Sequence, residues 1–457
     1  MLVRYLEGER HILNMSAHLK KTFMVFPVII LIALYFLIAL FGALPDGLTY
    51  ESFTAIVIFL ITIYLWATEI LPLPVTAFFA MFLLAMSGSV SLADSIYGLG
   101  STVVFLIIIG FFLAAGLTKS GLDKRIAYKI LRNTHSENTV LIGLILITSF
   151  LSMIISNTTT TLLMVPIALH IMHKVRMNNE ALLLGIAFAA NVGGAGLLIG
   201  TPPNIIGSEA LGWGFYEWMV HALPFTLVMI FLLYLSLVIY FRPGHEKIKK
   251  HLVKDLGPLK GEEKRTALII IFTLLLWISS PVHHLPAIVV GLIGGMMMFV
   301  FVYDWRYFER VTNWGTIILI AGAVSLGRAL EVTGAAHWIA TNFLGLTGLT
   351  SPVFVAFSFV LLAICITQFI QNTATAAMLT PVLVGLSSGL GILPEGLVVP
   401  VILAVSMTFL MPPGTAPNAI VHGVGKIKTK EMFRAGLLPT IFALVLLFVY
   451  CWFFVGL

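Results

Sequence analysis

The chain has 457 residues, 59% hydrophobic and 10% charged, with a formal net charge of +6. Its mean hydropathy is +1.05, and soluble domains carry about 25% charged residues, so most of this surface reads as facing lipid. That excludes a soluble enzyme and a nucleic-acid binder: the basic excess sits in loops, where topology accounts for it, and Cys365 and Cys451 lie in apolar runs that give neither a disulfide framework nor a metal signature.

In chain order the apolar segments cover 22–44, 52–72, 74–88, 102–118, 139–174, 180–208, 219–241, 266–281, 287–303, 315–333, 352–386, 396–425 and 435–457. The first is as long as a full span and has no small-residue cleavage site, so it reads as a crossing and not a removed leader. Lys and Arg collect on the cytoplasmic side of such proteins. They are found here before residue 22, between Lys119 and Arg132, at Lys174 and Arg176, through 242–265, at Arg306 and Arg310, and from Lys426 to Arg434. The loops 45–51, 89–101, 209–218, 282–286, 334–351 and 387–395 contain none.

With basic loops inside, segment 139–174 is basic at both ends and segment 352–386 at neither. Each is marginal for two spans of roughly 20 residues, which suggests two re-entrant hairpins entering from opposite faces. The expected fold is an all-α polytopic membrane protein of about 11 transmembrane helices plus the two hairpins, in two inverted-topology repeats. The expected divisions are an N-terminal segment with the first crossing (1–50), a first repeat (51–241) with a cytoplasmic-side hairpin at 135–176, a basic cytoplasmic linker (242–265), and a second repeat (266–457) with an outer-side hairpin at 350–388. The N-terminus is then inside and the C-terminus outside, in a plasma (inner) membrane.

The repeats are visible as sequence. Ser156-Asn157-Thr158 with Pro166 downstream and Gly200-Thr201-Pro202-Pro203-Asn204 recur as Gln371-Asn372-Thr373 with Pro381 and Gly414-Thr415-Ala416-Pro417-Asn418. Asn157 to Asn372 is 215 positions, and Asn204 to Asn418 is 214; Gly121 and Gly334 keep nearly the same register. Apolar segments interrupted by Gly and Pro at matching places in two halves point to a transporter's binding site. Gly193-Gly194-Ala195-Gly196 through Pro203, and Met411-Pro412-Pro413-Gly414, must break their helices. A broken helix leaves free N–H groups, which attract anions, and free C=O groups, which bind cations. Asn157, Thr158, Thr201, Asn372, Thr373 and Thr415 add uncharged donors for carboxylate or sulfate oxygens, and carbonyls and hydroxyls at the same tips suit Na+.

These motifs resemble the divalent anion/sodium symporter family over essentially the whole chain. The resemblance implies a homodimer embedded in lipid, with a fixed scaffold and an elevator-like transport domain carrying both hairpins. It implies substrate at Asn157, Thr158, Thr201, Asn372, Thr373 and Thr415, with Gln371 standing where the family has Ser and adding amide donors. It also implies one Na+ site at Ser152, Ser156, Asn157 and Gly200 and another at Thr367, Ile370, Asn372 and Gly414. The implied activity is Na+-coupled transport of C4–C5 dicarboxylates such as succinate, malate, fumarate or 2-oxoglutarate. The alternatives are sodium-independent dicarboxylate, citrate or tartrate exchange, and sulfate symport. No catalytic constellation, cofactor motif or phosphate-binding loop is present, so an enzyme is not expected. Outside the motifs, Glu69 reads as interfacial, Arg328 and Glu331 as mutually neutralising, and His170 and His173 as interfacial; His422 follows the second helix break.

Overall fold

The computed structural model describes residues 27–30, 32–33, 35, 44–132, 134–174, 178–244, 256–347 and 351–455, and all regular structure among them is helical. Most of the expected first crossing and the middle of the basic linker lie outside these residues. The first half contains α1 (Tyr50–Thr68), α2 (Leu73–Ser87), α3 (Thr102–Ser120), α4 (Leu122–Arg132), α5 (Glu137–Ile154), α6 (Asn157–Lys174), α7 (Asn179–Gly194), α8 (Pro202–Leu211) and α9 (Phe215–Phe241). The second half contains α10 (Gly261–Ile278), α11 (Ala287–Phe301), α12 (Trp305–Val311), α13 (Trp314–Val332), α14 (Ala335–Thr347), α15 (Pro352–Thr367), α16 (Asn372–Leu390), α17 (Glu395–Ser406), α18 (Ala416–Gly423) and α19 (Thr429–Val455). Helices α3 to α9 and α13 to α19 therefore match in order, and α1–α2 match α10–α11.

Local chemistry sets the same punctuation in both halves. Gly121 and Gly334 end α3 and α13 at φ +74° and +75°, a left-handed conformation that Gly enters without a Cβ penalty. The chain then turns by 64° into α4. Pro202 and Pro203 open α8, and Pro417 sits in the first turn of α18; Pro costs nothing at a helix N-terminus, where its N–H would be unpaired anyway.

Six described helices are long and apolar enough to cross a membrane, or up to eight if each of two bent pairs is one span. These spans are apolar on all sides, whereas the short α4 buries Leu122, Ala127 and Leu131 and exposes Lys124, Lys129 and Arg132. The helices differ in how much they bury: α19 presents Val445, Trp452 and Phe453 outward, whereas α7 is buried along nearly its whole length. Two buried indole N–H groups find backbone partners, as membrane burial demands. Trp218 is fully buried and its Nε1 donates to the Ala195 carbonyl at 3.2 Å, while Trp277, equally buried, donates to Ala287 at 2.8 Å.

The halves are interleaved. Helix α3 packs on α10 and α11, and its counterpart α13 packs on α1 and α2. Likewise α8 packs on α16 and α17, while α18 packs on α6 and α7. Each broken helix thus completes the other half's hairpin, and all four breaks and tips meet in one place.

Candidate functional site

Four helix N-termini face a single cavity of about 610 Å³. Its wall includes Ser156 to Thr159 at the start of α6, Gly200 to Pro202 at the start of α8, Gln371 to Thr373 at the start of α16, and Gly414 to Pro417 at the start of α18. None of the lining residues is charged. The positive ends of four helices supply the attraction for an anion, each equivalent to about half an elementary charge. The remaining wall comes from α3 through Gly110 and Thr118, and from the α12–α13 corner through Tyr307, Asn313 and Thr316. Lys119 stands at this end, its Nζ 4.9 Å from the centre of the Tyr307 ring.

The two helix breaks are held open by the same device. Asn204 Nδ2 donates to the carbonyls of Gly194 and Leu197, each at 2.8 Å. Asn418 Nδ2 donates to the carbonyls of Thr408 at 3.2 Å and Met411 at 3.0 Å, the positions 214 residues on. Each Asn closes the loop ahead of its own helix, so the breaks are fixed shapes and not frayed ends. A cross-link joins the halves: Asn191 Nδ2 donates to the Thr408 carbonyl at 2.8 Å and to Asn418 Oδ1 at 3.1 Å.

Behind each tip lies a cluster of oxygens. Ser152 Oγ is 2.8 Å from Asn157 Oδ1 and 2.8 Å from the Ala190 carbonyl. In the second half Thr367 Oγ1 is 2.7 Å from Asn372 Oδ1 and 2.9 Å from the Val405 carbonyl, and Thr408 Oγ1 lies 3.2 Å from Asn372. In the first group one hydroxyl proton faces two acceptors, and in the second, counting the Gly414 carbonyl beside Asn372, two hydroxyl protons face three acceptors. Turning the Asn372 amide nitrogen inward satisfies the second cluster, with donation to Thr367 Oγ1 at 2.7 Å, Gly414 O at 3.2 Å and Val405 O at 3.3 Å. With Oδ1 inward, the same place gathers five oxygens, a set that suits a hard monovalent cation. The glycines keep room for it: a Cβ on Gly200 would strike the carbonyls of Gly194 and Ser152, and one on Gly414 would strike those of Thr367 and Gln368.

The residues expected from sequence are brought together. Ser156, Asn157, Thr158, Gly200, Thr201, Gln371, Asn372, Thr373, Gly414 and Thr415 all line the cavity. Ser152 and Thr367 do not; they are fully buried behind the tips, each in contact with its Asn. Ile370 sits at the second tip, half-buried and outside the lining. The halves differ in how these helix starts are capped. Thr415 caps its helix by accepting from Asn418 N at 3.3 Å, whereas Thr201 makes no side-chain cap bond. Ser156 Oγ accepts from Thr159 N at 3.3 Å, whereas Gln371 makes no side-chain cap bond to α16. Residues not anticipated as part of the site include Asn191, Thr408 and Gln368, whose Oε1 accepts from Leu410 N at 2.9 Å, and the wall residues Tyr307, Asn313 and Thr316. Arg328 and Glu331 pair at 3.2 Å as expected, and Arg328 also reaches Asp94 at 3.2 Å.

A family model described as a citrate transporter matches residues 63–408. The chain is 34% identical to an uncharacterized transporter of Methanocaldococcus jannaschii over 90% of this chain and 95% of that one. It is 30% identical to the sodium-dependent dicarboxylate transporter SdcS of Staphylococcus aureus over 89% of this chain and 87% of that one. Among solved structures it resembles MtrF of Neisseria gonorrhoeae, with a TM-score of 0.57 at 13% identity, covering 92% of this chain and 97% of that one. It also resembles the YdaH transporter of Alcanivorax borkumensis, with a TM-score of 0.51 at 15% identity, covering 79% and 86%; at these identities the likeness is one of fold. The family model and these relatives make this a multi-pass membrane transporter. It belongs to the citrate-transporter family, among the divalent anion/sodium symporters.

Proposed function

We propose that this chain carries C4–C5 dicarboxylates, such as succinate, malate, fumarate and 2-oxoglutarate, together with Na+. The observation that carries the reading is the pairing at each tip of opposite helix ends. The N-termini of α6, α8, α16 and α18 face the cavity, while directly behind it Ser152, Thr367 and, with their Oδ1 turned inward, Asn157 and Asn372 gather proton-poor oxygens. Two carboxylates fit the first set through Asn157, Thr158, Thr201, Gln371, Asn372, Thr373 and Thr415. Na+ fits the second through Ser152, Ser156, Asn157 and Gly200, and through Thr367, Ile370, Asn372 and Gly414. Asn157 and Asn372 belong to both sets. A bound cation fixes each amide with Oδ1 toward the metal and Nδ2 toward the cavity, so substrate and ion bind cooperatively without any charged side chain. A full positive charge in the site would be costly in lipid and slow to release its dianion.

The cavity's wall runs past Thr118, Tyr307 and Asn313 toward the basic loops and includes no residue of the Lys- and Arg-free loops. With basic loops inside, this form is open to the cytoplasm. Alternating access then follows from movement of α5–α8 and α15–α18, hairpins on opposite faces, against α1–α3 and α10–α13 in an elevator-like stroke. The moving unit is interleaved and internally hydrogen-bonded, and α4 and α14 connect it to the framework. The reading extends to a homodimer in the inner membrane with the N-terminus inside and the C-terminus outside. The resemblance to SdcS supports the substrate class and the ion.

Uptake of labelled succinate into proteoliposomes, with and without an inward Na+ gradient and with or without internal succinate, tests this. Uptake driven by the gradient is expected. A second reading rests on Gln371, whose longer amide stands where Ser156 stands in the first half. If uptake needs internal succinate and ignores Na+, the chain is a sodium-independent exchanger.

A further inference from the structure

A second cavity, of about 510 Å³, lies on the other side of the first hairpin from the substrate cavity. It is formed by the end of α3, by α4 along its length, by Phe150 and Ile154 of α5, by the residues leading into α10, and by α10 itself. Its volume lies within the range of about 300–1,000 Å³ typical of small-molecule sites, but its lining does not suit a soluble ligand. Leu117, Ile126, Phe150, Ile271 and Leu274 form an apolar trough, and Phe150 and Ile271 are 47% and 54% exposed on its sides. All charged residues of the lining are basic and sit on α4: Arg125, Lys129 and Arg132.

These three cations are not equivalent. Arg125 is buried and bound to Glu263 at 2.9 Å, and it donates to the Gly257 carbonyl at 2.6 Å. It braces the trough and does not serve as its recognition group. Lys129 and Arg132 lie on the exposed face of α4, three residues apart and so on one side of the helix. An apolar trough open at its sides, with cations along one wall and no acid in its lining, matches an amphiphile with an anionic head.

We propose that this trough binds an anionic glycerophospholipid, with an acyl chain along Leu117, Phe150 and Ile271 and the headgroup phosphate on Lys129 and Arg132. Ile154, the last residue of α5, lines both this trough and the substrate cavity. An acyl chain against Ile154 presses the hairpin toward α6 and holds the tip that carries Asn157. Occupancy of the trough therefore tunes transport. The tuning rests on the transport reading, whereas the binding does not.

The test uses the full chain in nanodiscs containing phosphatidylglycerol or phosphatidylcholine with a diazirine in the acyl chain. Phosphatidylglycerol should label peptides of α4 and α10 about tenfold more than phosphatidylcholine, as expected for two basic groups at a lipid surface. The double substitution Lys129→Gln, Arg132→Gln should reduce that labelling to the phosphatidylcholine level, and Ile271→Trp, which fills the trough at an exposed position, should lower both. Equal labelling by the two lipids, or labelling indifferent to Ile271→Trp, overturns the site. Suppression by millimolar inorganic phosphate also overturns it, by assigning the cations to a free anion. In proteoliposomes, succinate uptake should change at least about threefold with phosphatidylglycerol content, and the double variant should lose that response. Labelling without any such response overturns the coupling through Ile154. Labelling in a protein that carries no dicarboxylate leaves the lipid site standing and removes the transport reading.

Discussion

Asn191 in the first half and Asn418 in the second share a hydrogen bond, Asn191 Nδ2 to Asn418 Oδ1 at 3.1 Å, and Asn191 Nδ2 also reaches the Thr408 carbonyl at 2.8 Å. Asn418 in turn holds the second helix break in shape. Both side chains are fully buried, so one amide in α7 sets the geometry of a break that belongs to the other repeat. Replacing Asn191 by Leu leaves Asn418 Oδ1 and a carbonyl without this donor, and an orphaned buried polar group costs about 1–3 kcal/mol. The variant should unfold at lower temperature in detergent and lose substrate affinity. Unchanged unfolding together with unchanged uptake would remove Asn191 from the site.

Asn157 and Asn372 are proposed to serve substrate and cation at once, which separates them from their neighbours. Either residue changed to Ala should bring uptake to background with the fold retained, as measured by gel filtration. Asn372→Asp is more discriminating. It keeps an oxygen toward Thr367 and Thr408 but places a negative charge beside the dianion. Na+ should still bind, detected as a Na+-dependent rise in thermal stability, while succinate binding falls by at least the tenfold to hundredfold of one charge-assisted hydrogen bond. Succinate binding at the wild-type level in Asn372→Asp would argue against a shared role.

The site was legible in sequence where it is repeated. Asn157 and Asn372, and Asn204 and Asn418, stand out because polar residues at matched positions are rare in a chain with 10% charged residues. Asn191, Thr408 and Gln368 did not stand out, since their counterparts are Ser406, Gly194 and Met153. A comparison of halves cannot see a residue that only one half has, and these three make the halves unequal. Tyr307 and Asn313 were hidden for another reason: they follow a charged loop, and the chain has just bent by 116° between α11 and α12, a turn that leaves no periodicity to read. The interleaving of α8 with α16 and α17 was equally unreadable, because it is a matter of tertiary packing and leaves no periodicity.

The buried ion pair Arg125–Glu263 joins α4 to the start of α10 at 2.9 Å, with side-chain exposures of 11% and 6%. Removing one partner of a buried pair typically costs about 3–5 kcal/mol because the other charge is stranded. Glu263→Gln should therefore lower the unfolding temperature markedly. Arg125→Met with Glu263→Leu should recover much of the loss, since the pair is then replaced by apolar volume. No recovery in the double variant would show that the Arg125 bonds to the Gly257 and Leu256 carbonyls dominate instead.

Membrane orientation is accessible to labelling. Cys365 is exposed and Cys451 buried, so the background is Cys365→Ser. Lys264→Cys, beside the basic linker, should react only from the cytoplasmic face. Leu393→Cys, 70% exposed in the turn after α16, should react only from outside. Reaction of both from one face would remove the opposed hairpins and with them the inverted topology.

Lys119 is tied directly to a lining residue, its Nζ 4.9 Å from the centre of the Tyr307 ring. It does not touch the inner site, so its effect on a dianion should be one of approach, by long-range attraction. Lys119→Gln should raise the half-saturating concentration of internal succinate in efflux about two- to fivefold at low salt and leave the maximal rate unchanged. The difference should fade near 0.15 M salt, where charges are screened beyond about 8 Å.

Gln371 is where the two tips part company. Ser156 caps its own helix through Thr159 N at 3.3 Å, and Gln371, at the N-cap of α16, makes no such bond. Its backbone carbonyl accepts from Thr375 N at 3.0 Å, so the helix start does not depend on the side chain. The amide is therefore available to the cavity it lines. It adds two donors for a carboxylate and bulk that leaves less room for a tricarboxylate. Gln371→Ser should shift preference from succinate toward citrate by roughly tenfold to a hundredfold, the worth of one hydrogen bond to a charged group. Na+ dependence should persist, because the oxygens of Thr367, Thr408 and Asn372 lie behind the tip and do not involve residue 371. Competition of unlabelled citrate against labelled succinate, measured with and without Na+, decides the matter. If Gln371→Ser instead confers Na+ dependence on a protein that had none, Gln371 stands in for the cation and exchange is the native mode.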